Sequence, residues 1–115
     1  MGRILAVGNA TLDIINVVDD YPKEDQEVRA SSQQMRRGGN ACNTLAVLSQ
    51  LGNECSWAGT LADEADAAMI IDDLDEHQID HTAVTTVSHG KVPTSYVSLS
   101  RLSGSRTIVH YRDLP

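Results

Sequence analysis

Apolar and polar positions fall into blocks along the chain, and the first blocks predict two strands and a polar insertion. Residues 4–7 form a short, nearly continuous apolar run that stops at Gly8, a pattern typical of a strand buried on both faces of a parallel sheet. Residues 14–18 are a second strand candidate, closed by a turn that contains proline. From 26 to 37 the chain is mainly polar, which predicts an exposed β-ribbon rather than a core element.

The clearest helical pattern follows the glycine pair at 38–39. Apolar residues recur at three- and four-residue spacing over 41–51, and Gly52 follows at the position of a helix C-cap. The pattern then predicts a strand over 55–61 and a second helix over 63–77, whose apolar residues are surrounded by acidic ones.

The last third of the chain has β character. A short strand is predicted at 83–87, and strands at 94–101 and 106–111 flank a Leu-Ser-Gly-Ser turn, which is a hairpin signal. The order strand, helix, strand, helix, strand predicts an α/β fold with βαβ units around a parallel sheet. One β excursion, at about 14–37, interrupts that order, and a second, at about 94–111, follows the third strand. We expect the two excursions to pair as a small separate sheet.

Composition and charge narrow the classes of partner. The 115 residues suit one domain, and a net charge of −7 is unfavourable for binding the phosphate backbone of nucleic acid. No apolar run reaches the about 18–20 residues that a membrane helix needs. Cys42 and Cys55 match no metal or redox spacing and predict buried thiols in a reducing compartment. We therefore expect a cytoplasmic protein with a mainly aliphatic core.

The segment Arg-Arg-Gly-Gly-Asn-Ala-Cys-Asn at 36–43 is the best local signal for a binding site. Its glycines let the backbone approach a ligand, and the first turn of the following helix offers N–H donors. Asn40 and Asn43 face one side of that turn, and their amides suit neutral polyols better than phosphates. The same residues also fit an ordinary glycine turn with Asn40 as the N-cap, and spacing alone does not decide between the two.

A carboxylate shifts the balance towards a binding site. Asp13 follows Gly8 closely, at the predicted carboxyl edge of the sheet, where open α/β sheets bind ligands. Such a carboxylate can accept hydrogen bonds from two adjacent sugar hydroxyls. A solvated loop aspartate is the alternative, but together with the diglycine segment Asp13 favours a site for a small hydroxyl-rich molecule.

The remaining polar groups predict less. Residues 8–11 lack the GxGxxG spacing of a dinucleotide site. The acidic residues of 72–76 are expected to form a solvated helix face, and Arg106 is either a phosphate-binding guanidinium or an exposed hairpin arginine. No metal site is expected, because four histidines have no ligand spacing with cysteine or with one another: His77, His81, His89 and His110.

These segments together resemble the N-terminal part of the PfkB (ribokinase-like) carbohydrate kinase family. The resemblance is carried by ILAVG, the aspartate of TLDII, RRGGNACN opening a helix, LGNECSWAGT and SRTIVHY. Within the family, DDYPKEDQEVR and SGSRTIV are similar to the ketohexokinase branch. The resemblance implies a ribokinase-like α/β fold, with a parallel-sheet βαβ core and a small β-sheet lid.

The resemblance also implies roles for five residues. Asp13, Gly39, Asn40 and Asn43 would hold the sugar hydroxyls, and Arg106 would approach the nucleotide phosphates. The family transfers the γ-phosphoryl group of MgATP to a sugar hydroxyl, so ATP and Mg²⁺ are the implied cofactors and a ketose such as fructose is the expected substrate. The two β excursions would form the lid, and ketohexokinase-like members pair their lids in a homodimer.

The chain departs from the family in length. The Gly-Ala-Gly-Asp-type motif, which carries the anion hole and the catalytic base, is absent, so no catalytic residue is expected within 1–115. We expect these residues to be the N-terminal portion of one larger α/β domain whose C-terminal catalytic half is absent, with an apolar sheet edge exposed. The alternatives are a non-catalytic sugar-binding or dimerisation module, and a kinase for another sugar, a sugar acid or a nucleoside.

Overall fold

The structure is a computed structural model that describes residues 2–115, which form nine strands and two helices. They occupy a flat volume of 48 × 34 × 18 Å. In chain order the elements are β1 (Arg3–Val7), β2 (Thr11–Val18), β3 (Ser32–Gly38), α1 (Asn40–Gln50), β4 (Glu54–Ala58), β5 (Thr60–Ala62), α2 (Ala65–Glu76), β6 (Ile79–Asp80), β7 (Thr85–Val87), β8 (Lys91–Ser100) and β9 (Arg106–Asp113).

The strands belong to three sheets. The core sheet is parallel, with the order β1-β4-β6, and its βαβ connections confirm the predicted α/β class. The outer sheet is mixed, with the order β3-β2-β8-β9, and it pairs the two β excursions as expected. The third sheet is a short parallel pair, β5-β7.

The buried core lies between one face of the core sheet and the two helices. Ile70 and Leu74 of α2 and Leu45 of α1 are completely buried, and burial of each such side chain contributes about 1.5–3 kcal/mol. The core is mainly aliphatic, as expected, with Trp57 as its one large aromatic residue among the described positions. The indole Nε1 of Trp57 donates to the carbonyl oxygen of Gly8 at 3.0 Å, so its polar atom is satisfied inside the core.

The single strand predicted over 55–61 is wrong, because the chain breaks at Gly59 into β4 and β5. A Cβ at Gly59 would lie only 2.4 Å from the ring of Trp57 and 2.6 Å from the carbonyl oxygen of Gly8. The carbonyl of Gly59 also accepts a hydrogen bond from the backbone N–H of Thr85 at 2.9 Å. These contacts redirect the chain at Gly59, so that the residues after it form the short β5-β7 sheet instead of continuing β4.

Both predicted helices are present, with small changes at their ends. Helix α1 ends at Gln50 with Leu51 as its C-cap, one residue before the predicted position, and Gly52 follows with a φ of 91°. Helix α2 begins two residues later than predicted, because the Glu64 side chain caps it and accepts a hydrogen bond from the N–H of Asp66 at 3.4 Å. Neither helix within residues 2–115 has the length and apolar character that crossing a membrane would require.

The polar stretch predicted as a ribbon is only partly a strand. Strand β3 covers 32–38, while 21–31 is mostly irregular. Strand β2 begins three residues earlier than predicted, because Thr11 already pairs with Gly38. Strand β1 is an edge strand of the core sheet, and it exposes apolar side chains there, as expected: Leu5 and Val7 are 61% and 76% exposed. The prediction that this strand is buried on both faces is therefore wrong, because only alternate residues face the core.

Candidate functional site

The candidate site lies where the chain leaves the core sheet and enters the outer sheet. The loop 8–10 makes this connection, and the hydrogen bond from Trp57 fixes its start. Gly39 has a φ of 98° and packs so tightly on the loop that a Cβ would lie 2.2 Å from the carbonyl oxygen of Asn9. Only glycine fits this position, and the contact joins the end of β1 to the start of α1.

Asp13 presents a half-buried carboxylate at this junction. Its Oδ1 accepts a hydrogen bond from the hydroxyl of Thr11 at 3.0 Å, and within residues 2–115 it has no other hydrogen-bond partner. A Cβ at Gly38 would lie 2.4 Å from Oδ2, so the glycine leaves room for the carboxylate. Asp13 lies within β2 of the outer sheet rather than in a loop at the edge of the core sheet, because β2 starts at Thr11.

The structure places the diglycine segment beside Asp13. Since Gly38 touches the carboxylate and Gly39 and Asn40 follow directly, these groups lie together at the junction. Gly39 is the N-cap of α1, so the alternative with Asn40 as the N-cap is wrong. No side chain caps the helix, which leaves the backbone N–H groups of its first turn available to a ligand.

Asn43 is held by a side chain that the sequence did not single out. Its Oδ1 accepts a hydrogen bond from Nη1 of Arg37 at 2.6 Å. Nε of Arg37 donates to Oδ2 of Asp73 at 2.7 Å, and the arginine side chain is only 5% exposed. Arg37 lies opposite Leu12 rather than Asp13 in the strand register, so the structure shows no contact between Asn43 and Asp13. Nδ2 of Asn43 makes no hydrogen bond within residues 2–115 and is a free donor.

The same contacts correct the interpretation of the acidic residues on α2. Asp73 is not part of a solvated face: it pairs with the buried Arg37, and Nδ1 of His77 lies 3.5 Å from its carboxylate. Arg37 belongs to β3, so the pair links α2 to the outer sheet with charge-assisted hydrogen bonds. The two partners are 36 positions apart in the chain, so the sequence contains no local signal of this pair.

Cys42 lies next to this ion pair in α1 and is completely buried. Burial raises the pKa of its thiol to about 11, while Arg37 lowers it and Asp73 raises it to a smaller extent. The thiol is therefore neutral at physiological pH and unsuited to act as a nucleophile. Both Cys42 and Cys55 are buried and unpaired, as predicted.

Arg106 lies apart from the other predicted site residues. It pairs with Leu99 at the turn end of the outer sheet, whereas Asp13 pairs with Ser95. Ser95 and Leu99 are four residues apart in β8, which is about 13 Å along the strand. The side chain of Arg106 is exposed, and within the described part of the chain it makes no ion pair.

A cleft of about 330 Å³ opens at the carboxyl ends of β1 and β4. Gly8, Asn9 and Gly59 line it from the core sheet, and Arg112 lines it from β9. This is the edge at which open α/β sheets bind ligands, and Arg112 is a candidate that sequence reasoning missed. No cluster of three or more His, Cys, Asp or Glu residues suited to a metal ion occurs between residues 2 and 115.

Known proteins share this architecture. Mouse ketohexokinase is 45% identical to the chain over 109 residues, which are 95% of this chain and 37% of the mouse protein. The chain therefore spans little more than a third of that relative.

Two solved structures show the same fold. A candidate ribokinase of Agrobacterium tumefaciens superposes with a TM-score of 0.87 at 27% identity, covering 96% of this chain and 36% of the other. The ribokinase of Arabidopsis thaliana, solved with ribose and ATP, superposes with a TM-score of 0.83 at 25% identity. This match covers 93% of the present chain and 35% of the Arabidopsis chain. The model of the pfkB family carbohydrate kinases matches residues 1–114, and the chain belongs to this family.

Proposed function

We propose that the chain is the sugar-binding, lid-bearing N-terminal part of an ATP-dependent sugar kinase, which transfers the γ-phosphoryl group to a hydroxyl of a ketose such as fructose. The observation that carries the proposal is the carboxylate of Asp13, which lies against Gly38 with Thr11 as its one hydrogen-bond partner in the described chain. A half-buried carboxylate with unused acceptor sites, beside an uncapped helix start, suits a neutral molecule rich in hydroxyl groups.

The proposed contacts to the sugar follow from the donors and acceptors at the junction. Asp13 accepts hydrogen bonds from two adjacent hydroxyls. The backbone at Gly39 and the amide of Asn40 approach the same molecule from the start of α1, and Nδ2 of Asn43 donates to it. The rigid attachment of Gly39 to the loop that follows β1 holds these groups in place before the sugar arrives.

Arg106 is the proposed contact to the nucleotide. The exposed guanidinium of Arg106 fits a phosphate group, because it can donate two parallel hydrogen bonds. When bound, MgATP supplies the phosphoryl group. The described residues contain no acidic cluster for Mg²⁺, so in this proposal the metal is held by the phosphates and by residues outside this chain. The catalytic base is likewise placed outside residues 1–115.

We propose that the outer sheet is the lid of this kinase and also its dimer interface. Register brings one row of apolar side chains together across all four strands. Met35, Tyr96 and Val109 are 54%, 48% and 67% exposed, and Ile14 lies between the first two. An exposed apolar row on a thin sheet supports pairing with a second lid. The buried, unpaired thiols support a cytosolic location.

Sugar binding and phosphoryl transfer test the proposal in two steps. Calorimetry with fructose, ribose and a nucleoside is expected to select a ketose. Asp13→Asn removes the charge of the central acceptor and should lower sugar affinity about 10-fold or more. Asp72→Asn, an exposed residue on α2, is the matched control and should change nothing.

The outcomes separate the alternatives. Sugar affinity that is equal in wild type and Asp13→Asn would contradict the assigned site. Sugar binding without MgATP-dependent phosphoryl transfer, in the protein that the gene encodes, would favour a non-catalytic binding module. Selection of the nucleoside would shift the substrate class within the same family.

A further inference from the structure

One face of the outer sheet carries a polar row that crosses all four strands. Asp13 in β2 lies between Arg36 in β3 and Ser95 in β8. Ser95 in turn lies opposite His110 in β9. Residues paired directly across strands point to the same face, so these side chains share the surface that carries the carboxylate of Asp13.

Ser95 and His110 are joined by a side-chain hydrogen bond. The hydroxyl oxygen of Ser95 lies 2.9 Å from Nδ1 of His110. Within residues 2–115 the other ring nitrogen, Nε2, makes no hydrogen bond. If the serine donates to Nδ1, then Nε2 carries the proton and is a donor; in the other tautomer Nε2 is an acceptor. Either tautomer suits a sugar hydroxyl, which can both accept and donate.

Packing does not explain the Ser95–His110 pair. Strand β9 is exposed along its whole length, and the hydrogen bond between Ser95 and His110 is exposed to solvent. A solvated hydrogen bond of this kind contributes little to folding stability. The pair also lies on the opposite face of the sheet from the apolar row of Met35, Tyr96 and Val109, so it is separate from the proposed dimer interface.

We propose that Ser95 and His110 are a second contact point for the sugar. In this proposal Nε2 of His110 forms a hydrogen bond with a sugar hydroxyl on the side opposite to the two hydroxyls that Asp13 binds. Two strand spacings separate Asp13 from His110, which is about 10 Å between their backbones. Their side chains flank Ser95, and a monosaccharide bound by Asp13 extends over this serine towards the imidazole. The inference rests on the proposed function, since it needs a sugar at Asp13.

The other charged group in the row does not compete with this contact. Arg36 lies beyond Asp13, on the side away from Ser95, and its Nε donates to the side-chain oxygen of Gln34 at 3.1 Å. The sugar therefore meets a carboxylate at one end and a hydroxyl–imidazole pair at the other. Such a pair discriminates between sugars, because a sugar that lacks the contacted hydroxyl cannot form this hydrogen bond and binds more weakly.

The test pairs substitutions with monodeoxy derivatives of fructose in the protein that the gene encodes, with kcat and KM measured for each. The derivative that lacks the hydroxyl bound by Nε2 of His110 should bind wild type about 3- to 10-fold more weakly than fructose. In His110→Ala, and in His110→Asn, which keeps a partner for Ser95 but lacks Nε2, this difference should disappear through KM with little change in kcat. His110→Gln, whose amide nitrogen reaches towards the position of Nε2, should restore part of it.

The controls distinguish this inference from the proposed function. His89→Ala removes another exposed histidine and should leave every ratio unchanged. If His110→Ala keeps the wild-type ratios while Asp13→Asn loses sugar affinity, the inference is overturned and the proposed function stands. If wild type binds no sugar at all, the proposed function fails and this inference fails with it.

Discussion

The core sheet and the outer sheet are stabilised in different ways. The core sheet packs against two helices, and Trp57 of the sheet and Ile70 and Leu74 of α2 have no exposed surface. The outer sheet also buries apolar side chains, among them Leu12 of β2 and Val92 of β8, but every residue of β9 is exposed. Backbone pairing with β8 holds β9 in place, whereas apolar burial stabilises the core sheet. The outer sheet is therefore the part whose shape can respond to a ligand or a second subunit at low cost.

The free energy of unfolding should differ most between two variants that truncate an aliphatic side chain, one in the core and one in the outer sheet. Leu74→Ala should lower the free energy of unfolding by about 3–4 kcal/mol, because it leaves a cavity between α2 and the core sheet. Val109→Ala in β9 should change it by less than about 0.5 kcal/mol, since this side chain is 67% exposed. Urea titration measures both values. Equal losses would show that the outer sheet is as well packed as the core.

The ion pair that joins the two regions should have the next largest effect. Arg37→Met leaves Asp73 without its partner and should lower the free energy of unfolding by about 2 kcal/mol, below the value for a fully buried pair because Asp73 is 22% exposed. Sugar affinity should fall as well, since Asn43 loses its anchor. Arg36→Met, a neighbouring exposed arginine on the opposite face, is the control. An effect of Arg36→Met equal to that of Arg37→Met would contradict the role of the buried pair.

Alkaline pH should weaken the molecule through Cys42. The folded state raises the pKa of this thiol from its ordinary value of 9.0 to about 11, so the folded chain holds the proton more tightly than the unfolded chain. The resulting stability is complete below pH 9 and is lost as the pH rises towards 11. The free energy of unfolding should fall by about 1 kcal/mol between pH 9 and 10.

Substitution separates Cys42 from the other groups that titrate in this range. Cys42→Ala should flatten most of the alkaline decrease, and Cys55, whose pKa burial also raises, accounts for a remaining part in the same direction. A decrease of the same size in Cys42→Ala would assign it to other groups.

The smallest effect on stability should accompany a large effect on association. Val109→Asp places a carboxylate in the apolar row of the outer sheet and should weaken a lid-to-lid dimer at least about 10-fold, while the free energy of monomer unfolding changes by less than about 0.5 kcal/mol. Ile108→Asp puts the same charge on the other face and is the matched control. Sedimentation velocity distinguishes them. A monomeric wild type, or equal dissociation by both variants, would contradict the proposed interface.

The sequence predicted the elements whose signal is local. The three- and four-residue spacing of apolar positions over 41–51 gave α1 almost to the residue, and the glycine after it marked its end. The strands of the final hairpin were also predicted, because a Gly-Ser turn separates two runs of β-forming residues. Strand β6 was missed, since two residues are too few to show any period.

Features that depend on distant partners were not predictable in this way. The break at Gly59 comes from contacts with Trp57 and the loop after β1, while the sequence there is continuously apolar. The link from Arg37 to Asp73 joins two elements that appear independent in the sequence. The apolar row of the outer sheet exists only once four strands are in register, since each strand alone contributes a single member.

The position of the single tryptophan gives the molecule a built-in optical probe. The indole of Trp57 is hydrogen-bonded to the loop that lines the cleft, with Gly59 packed on its ring. Any molecule that shifts this loop alters the polarity around this indole, which is the one tryptophan within residues 1–115. Intrinsic fluorescence can therefore follow occupancy of the cleft in the native chain, without a dye or an engineered label.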